Sequence, residues 1–284
     1  MSIRGIVLIT IAVCIGLVHG QSASSLAGSF PSTTFEQTCA ASWGQPNSQG
    51  SVIQLKLDQA SGSGIESIHT YFYGFFSALI KLPASYSAGV VTAFYISNYD
   101  TFPHIHDEVD FEFLGVAAGT PYLLQTNIYG DGSAKGREER INLWFDATAD
   151  FHRYSILWNS YQLVFFIDDI PIRRMARSGE LGHQYPSKPM KAYSSIWDGS
   201  NWATDGGHSP VNYAYGPFVA SFTDLKLQGC EEGSICSEQQ NEISSIRDLT
   251  EQQKNDLAWV RENHLTYTYC NDRQRYPIPF PECS

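Results

Sequence analysis

Between residues 50 and 228, short runs of aromatic and β-branched residues alternate with clusters of Gly, Asn, Asp and Pro. VVTAFYIS (90–97), PYLLQTNIYG (121–130), YSILWN (154–159) and QLVFFIDDIPIRRM (162–175) are clear cases. Runs of this length and composition suit strands that bury at least one face. Asp168-Asp169 is predicted to form a tight turn between two of them. There is no repeat of about 20–50 residues and no long helical period, so the expected fold is an all-β sandwich. The texture changes after Cys230. LTEQQKNDLAWVRENHL (249–265) is helical in composition, with Thr250 and Gln253 spaced as a capping box and Leu257 and Val260 as a packing stripe. The chain is therefore divided into residues 1–20, a β-domain over 21–229 and an extension over 230–284. The extension is too small to fold alone and is expected to pack on the sandwich.

The first segment reads as a signal peptide. Arg4 precedes the apolar run GIVLITIAVCIGLV (5–18), and Val18 and Gly20 suit cleavage after Gly20. That run is shorter than the roughly 20 residues that span a bilayer, so secretion is expected and a membrane anchor is not. Residues 21 to 35 are Ser-rich and read as a loose lead-in.

Beyond Cys14, the cysteines are Cys39, Cys230, Cys236, Cys270 and Cys283. Four cysteines clustered near the end of a secreted chain suggest two disulfides with three possible pairings; Cys230–Cys236 and Cys270–Cys283 is the short-loop choice. Cys39 is left over and is expected to be a buried free thiol. With 18 basic against 29 acidic residues, the chain is a poor partner for nucleic acid or anionic lipid. It contains no Asn-x-Ser/Thr sequon.

HDEVDFEFLG (106–115) carries the chemistry. On a strand, His106, Glu108, Asp110 and Glu112 share one face, while Val109, Phe111 and Phe113 share the other. Same-face neighbours lie about 6.6 Å apart, so three carboxylates repel one another, and Asp and Glu are poor strand formers. A solvated face is met more easily with Thr or mixed charges, and a pattern that accepts this conflict points to function. Clustered carboxylates serve either a hard cation such as calcium or glycoside cleavage. Retaining glycosidases hold two carboxyls about 5–5.5 Å apart, which Glu108 and Glu112 can reach if the sheet curves inward. Asp110 between them can push one proton affinity upward.

The stretch resembles the H-D-E-[IV]-D-F-E-F-L-G signature of the plant xyloglucan endotransglucosylase/hydrolases, within glycoside hydrolase family sixteen. The resemblance extends over roughly residues 35–284 and includes TNIYGDGSAKGREERINLWFD (126–146), DFHRYSILWN (150–159), SSIWDGSNWATDGG (194–207) and YTYCNDRQRYPIPFPEC (267–283). It implies a secreted enzyme of the cell wall and apoplast with a concanavalin-like jelly-roll fold and the short-loop disulfide pairing. The enzyme would cleave the xyloglucan β-1,4-glucan backbone with retention, passing the fragment to another xyloglucan chain or to water. It also implies Glu108 as nucleophile, Glu112 as proton donor and Asp110 as modulator, a reading that gives these three no calcium role; no cofactor or metal is expected.

For substrate binding, the resemblance implies Glu112, the Gln125-Thr126-Asn127 stretch, Gly136-Arg137-Glu138, Trp197, Trp202, Ala203, Gly207 and Arg275. Read from the residues alone, Gln125 and Asn127 are ordinary cross-strand polarity, Arg137-Glu138 a surface ion pair, and Arg273 a competitor of Arg275. Trp43, Trp144, Trp158 and Trp259 are expected in the core. The expected partners are a xyloglucan donor and a xyloglucan or oligosaccharide acceptor, and the protein is expected to be a monomer. Within the resemblance, Asp205 stands where many members carry a basic residue, and GREERINLWFD (136–146) and DGSNWATDGG (198–207) are similar to a divergent branch that includes hydrolases as well as transferases. A glucan-binding module without catalysis is the alternative class; it would need the aromatic residues but not three aligned carboxylates.

Overall fold

A computed structural model describes residues 50–117, 119–131 and 136–283, together with the backbone of 35–39 and 42–43. The signal segment, the Ser-rich lead-in and the side chains of Cys39 and Trp43 lie outside the described residues. The strands are β1 (Phe35–Cys39), β2 (Ser42–Trp43), β3 (Ile53–Leu57), β4 (Ser63–Ser67), β5 (Tyr71–Lys81), β6 (Val90–Ser97), β7 (Glu108–Leu114), β8 (Leu123–Tyr129), β9 (Glu139–Asn142), β10 (His152–Trp158), β11 (Gln162–Ile167), β12 (Ile170–Ala176), β13 (Lys191–Asp198), β14 (Phe218–Glu231) and β15 (Leu265–Thr268). They form an eight-stranded sheet, β1-β4-β13-β6-β7-β8-β9-β15, and a seven-stranded sheet, β12-β11-β10-β5-β14-β3-β2. The two antiparallel sheets pack face to face as a jelly-roll sandwich, as the alternating runs predict.

The core lies between the sheets because each strand turns every second side chain inward. Val109, Phe111 and Phe113 of β7 are fully buried there. Phe111 meets Phe165 of β11 edge-on at 5.0 Å and Tyr154 of β10 at 5.7 Å, a geometry that aligns ring edges with ring faces. Asp168 and Asp169, at φ +47° and +68°, make the two-residue turn between β11 and β12. Positive φ at both positions matches the right-handed twist of the strands.

Two helices follow, α1 (Glu238–Ser245) and α2 (Glu251–Asn263), each opened by a full capping box: Ser237 with Gln240, and Thr250 with Gln253. They cover the outer face of the seven-stranded sheet. Leu249, Ile243 and Leu257 pack there against Leu157, Val164 and Phe166, while Val260 reaches the main core. The chain then crosses to the other sheet, where β15 pairs with β9. The disulfides are Cys230–Cys236 and Cys270–Cys283, the short-loop pairing. Trp158 is buried and its indole donates to Pro186 O at 2.9 Å, while Trp144 is half-buried. Trp259 departs from the core expectation: it is 43% exposed. It sits about 200° around the helix from Leu257, so the Leu257/Val260 stripe turns it outward against Trp144, at 5.5 Å between ring centres.

Candidate active site

β7 lies between β6 and β8 in a register that fixes the neighbours of each acid. Glu108 stands opposite Ser97 and Tyr129, Asp110 opposite Tyr95 and Asn127, and Glu112 opposite Ala93 and Gln125. Alternation sends the three acids to the outer face of the sheet. They are nevertheless only 8%, 6% and 7% exposed. Side chains on the outside of a flat, open sheet stay wet, so this burial marks a groove in which the neighbouring residues stand above the acids. Among the described residues, none of the three forms an ion pair with a Lys or Arg.

That combination moves their proton affinities. Burial pushes Glu108 up to about 7, partly offset by hydrogen bonds from Ser97 and Asp110. Burial likewise pushes Glu112 up to about 7, offset in part by Gln125. Asp110 is raised well above the usual carboxylate range, by burial first and then by the charges of Glu108 and Glu112. The hydrogen bond between Asp110 and Glu108 favours the proton on Asp110 and the charge on Glu108. A row of acids that cannot all ionise supplies an ionised nucleophile and a protonated acid in one groove near neutrality.

The flanks of the motif hold this row in place. Asp107, fully buried, accepts at Oδ2 from the backbone of Ser187 (2.7 Å) and Lys188 (2.8 Å), and at Oδ1 from Asp131 N (2.7 Å) and Lys188 Nζ (2.9 Å). His106 lies between Tyr99 and Tyr129, with ring centres at 5.1 and 5.5 Å, and burial lowers its proton affinity. At the other end, a Cβ on Gly115 would lie 1.8 Å from Ser87 O, so only glycine lets the chain leave the strand there. Thr204 ties the Trp202 loop to the same point, donating to Gly115 O at 2.6 Å and accepting from Gly89 N at 2.8 Å.

The residues expected to bind sugar divide into two groups. Gln125 and Asn127 share the face of the acids. Gln125 Nε2 donates to Glu112 Oε2 at 2.7 Å, and its Oε1 accepts from Arg140 Nε at 2.8 Å. Asn127 Oδ1 accepts from Ile128 N at 2.9 Å, and its Nδ2 has no partner within the described chain. Gly136 lies beside them; a Cβ there would be 3.0 Å from Asn127 Nδ2 and from the Tyr129 hydroxyl. Trp197 of β13 and Trp202 lie farther along, half-buried, 6.1 Å between ring centres and packed with Ala203 on Val91 and Leu114. Gly207, at φ +92°, has Asn201 O 2.5 Å from its Cβ position, so it shapes the Trp202 loop.

Thr126 and Arg137 point away from the groove. Thr126 alternates inward, where Oγ1 accepts from Arg173 at 2.9 Å. Arg137 has no exposed surface; it pairs with Glu282, donates to Gln184 and lies 4.6 Å from the Phe280 ring centre. Glu138 and Arg275 form a two-pronged ion pair at 2.7 and 2.9 Å that fastens the tail to the groove edge; Arg273, exposed like Arg275, does not join it. The sequence reading missed Asp107, Tyr95, Ser97 and Arg140. Asp107 carried a usable signal, since period two puts it on the core face, where a carboxylate needs several donors. The others depend on cross-strand register.

The profile for glycosyl hydrolases family 16 matches residues 35–215, and that for the xyloglucan endo-transglycosylase (XET) C-terminus matches 237–283. The chain is 50% identical over 243 residues to the probable xyloglucan endotransglucosylase/hydrolase protein 28 of Arabidopsis thaliana, covering 82% of this chain and 73% of that one. It is 41% identical over 296 residues to xyloglucan endotransglucosylase/hydrolase protein 31 of the same plant, covering all of both chains. Among solved structures, a Bacillus licheniformis β-glucanase shares the fold at TM-score 0.54 and 23% identity, over 69% of this chain and 92% of that one. The three-carboxylate strand, the jelly-roll sandwich and a tail that matches its own profile agree: this chain is a member of glycosyl hydrolase family 16, in the xyloglucan endotransglucosylase/hydrolase family.

Proposed function

We propose that the protein is a secreted, monomeric cell-wall enzyme that cuts the β-1,4-glucan backbone of xyloglucan with retention and remakes the bond on another xyloglucan chain or on water. The observation that carries this reading is the row of buried acids without cationic partners, with proton affinities raised toward neutrality. Glu108 attacks the anomeric carbon while Glu112 gives its proton to the glycosidic oxygen, and the bond between them breaks. The fragment is left as an ester on Glu108. Glu112, now a carboxylate, takes the proton of the incoming hydroxyl, whose oxygen displaces Glu108. Asp110 holds its proton toward Glu108 and keeps the nucleophile charged between turnovers. Gln125, Asn127, Trp197, Trp202 and Arg275 line the groove on which the glucan rests, and residues 230–284 are an extension of the catalytic domain that completes the groove wall.

When a glucan 4-hydroxyl is the acceptor, the outcome is transfer; when water is, it is hydrolysis. Water stands at about 55 M, so transfer demands an acceptor held in position with water excluded. The tail-built wall near Glu138 and Arg275 supports transfer as the main outcome. The test incubates the protein with xyloglucan polymer and a labelled oligosaccharide. Label entering polymer is the expected result; new reducing ends without incorporation assign it as a hydrolase. Glu108→Gln and Glu112→Gln should each lower turnover by at least about 100-fold. Undiminished turnover in both variants would remove Glu108 and Glu112 as the catalytic pair, whereas binding of xyloglucan with no turnover by the unsubstituted chain would leave a glucan-binding role in place of this one.

A further inference from the structure

Gln125 is held in one orientation from both sides. Glu112 has only acceptors when ionised, and Arg140 has only donors. Because Arg140 Nε takes the amide oxygen at 2.8 Å, the amide nitrogen must face Glu112, where it donates at 2.7 Å. Arg140 is itself positioned. It pairs in register with Tyr267 across β9 and β15 and lies 5.4 Å from that ring centre. Its other end is 3.9 Å from Glu138 Oε2, the carboxylate that Arg275 grips. Arg275 N in turn donates to Asp272 at 3.0 Å, and Tyr267 donates to the same carboxylate at 2.9 Å. Arg275 lies inside the loop closed by Cys270–Cys283. A continuous polar chain thus runs from the stapled tail to the carboxyl read above as the acid/base.

We propose that Arg140 is a positioning residue for Glu112: by fixing the Gln125 amide it sets the orientation and proton affinity of that carboxyl, and through Glu138 and Arg275 it makes both depend on the docked tail. The proposal rests on the assignment of Glu112 as acid/base. The groups facing Glu112 are Glu108 and Asp110 on its own strand, Tyr95 across β6, Tyr129 and Gln125 on β8, and Glu138 and Arg140 at β9. The charge of Glu138 raises its proton affinity and that of Arg140 lowers it. Removing Arg140 therefore frees the amide and takes away a positive charge that offsets Glu138 at Glu112, and both changes keep the proton on Glu112 to higher pH.

The test measures kcat and KM against pH for the full chain and for Arg140→Gln, Arg275→Gln, Gln125→Ala and the Arg140→Gln/Gln125→Ala pair, with thermal melts to establish folding. Arg140→Gln is expected to lower kcat about 10-fold at neutral pH and to move the alkaline limb upward by about half a pH unit or more. Arg275→Gln is expected to move the limb the same way by less. In the Gln125→Ala background, Arg140→Gln should move it by less than it does alone, because the shared amide is gone. A raised KM with kcat and both limbs unchanged would overturn the proposal and make Arg140 a plain sugar contact. So would additive limb shifts in the double variant. Turnover that survives in Glu112→Gln would instead remove the acid/base assignment, independently of these shifts.

Discussion

Two sets of carboxylates lie a few strands apart on the same sheet and differ in almost nothing but their company. Glu108, Asp110 and Glu112 on β7 and Glu138 and Glu139 at β9 are all buried. The β9 pair is matched by cations: Glu138 by Arg275, and Glu139 by Arg261 at 3.0 Å and Arg173 at 3.7 Å. Glu282 of the tail pairs with Arg137 in the same way. These charges fasten the extension to the sandwich. Among the described residues the β7 set makes no such ion pair, and its members keep protons to unusually high pH. Burial alone therefore does not assign a role. A buried acid with an arginine holds structure, and a buried acid without one is available for chemistry.

The comparison is broken most severely by taking the cation from the structural set. Arg137→Met leaves Glu282 without its partner beside the tail, and unfolding by urea should show a loss of about 3–5 kcal/mol. Next comes the staple. Cys270→Ser with Cys283→Ser opens a loop of sequence separation 13, which should cost about 3 kcal/mol and lower transfer more than hydrolysis, since the tail carries Arg275.

The smallest effect has the opposite sign. Glu112 holds its proton to about 7 in the fold against an ordinary value of 4.5. Its folded value lies above its unfolded one, so its contribution is complete below pH 4.5 and is lost as pH rises toward 7. Glu112→Gln should therefore raise the melting temperature at neutral pH, by about 2–4 °C for each kcal/mol recovered, and leave it unchanged near pH 4. Equal shifts at both pH values would show that Glu112 titrates normally and would erase the contrast between the two sets.

Much of this was legible beforehand because period two needs no partner strand to be seen. Val109, Phe111 and Phe113 could be put in the core, and the acids on the opposite face, from β7 alone. The Asp168-Asp169 turn, the Thr250 capping box and the short disulfide loops are likewise local in sequence. Trp259 was misread because an aromatic residue in a helix was assigned to the core by type, while the neighbouring Leu257 and Val260 decide which way the helix faces. Thr126 and Arg137 were grouped with their neighbours as sugar contacts. Strand alternation turns the first inward, and the tail buries the second.

The sequence by itself determined the strand, its two faces, the identity of the acids and the family, since each is written in adjacent residues. Only the tertiary structure decided which acids are paired with a cation. Glu112 and Glu138 are the same residue type, and what separates them is whether an arginine closes an ion pair on the carboxylate, as Arg275 of the tail does on Glu138 at 2.7 Å. That depends on register across β7, β8, β9 and β15, which pairs residues as far apart in sequence as Glu139 and Thr268. Charge acts through distance and burial, and neither is defined until the chain has closed.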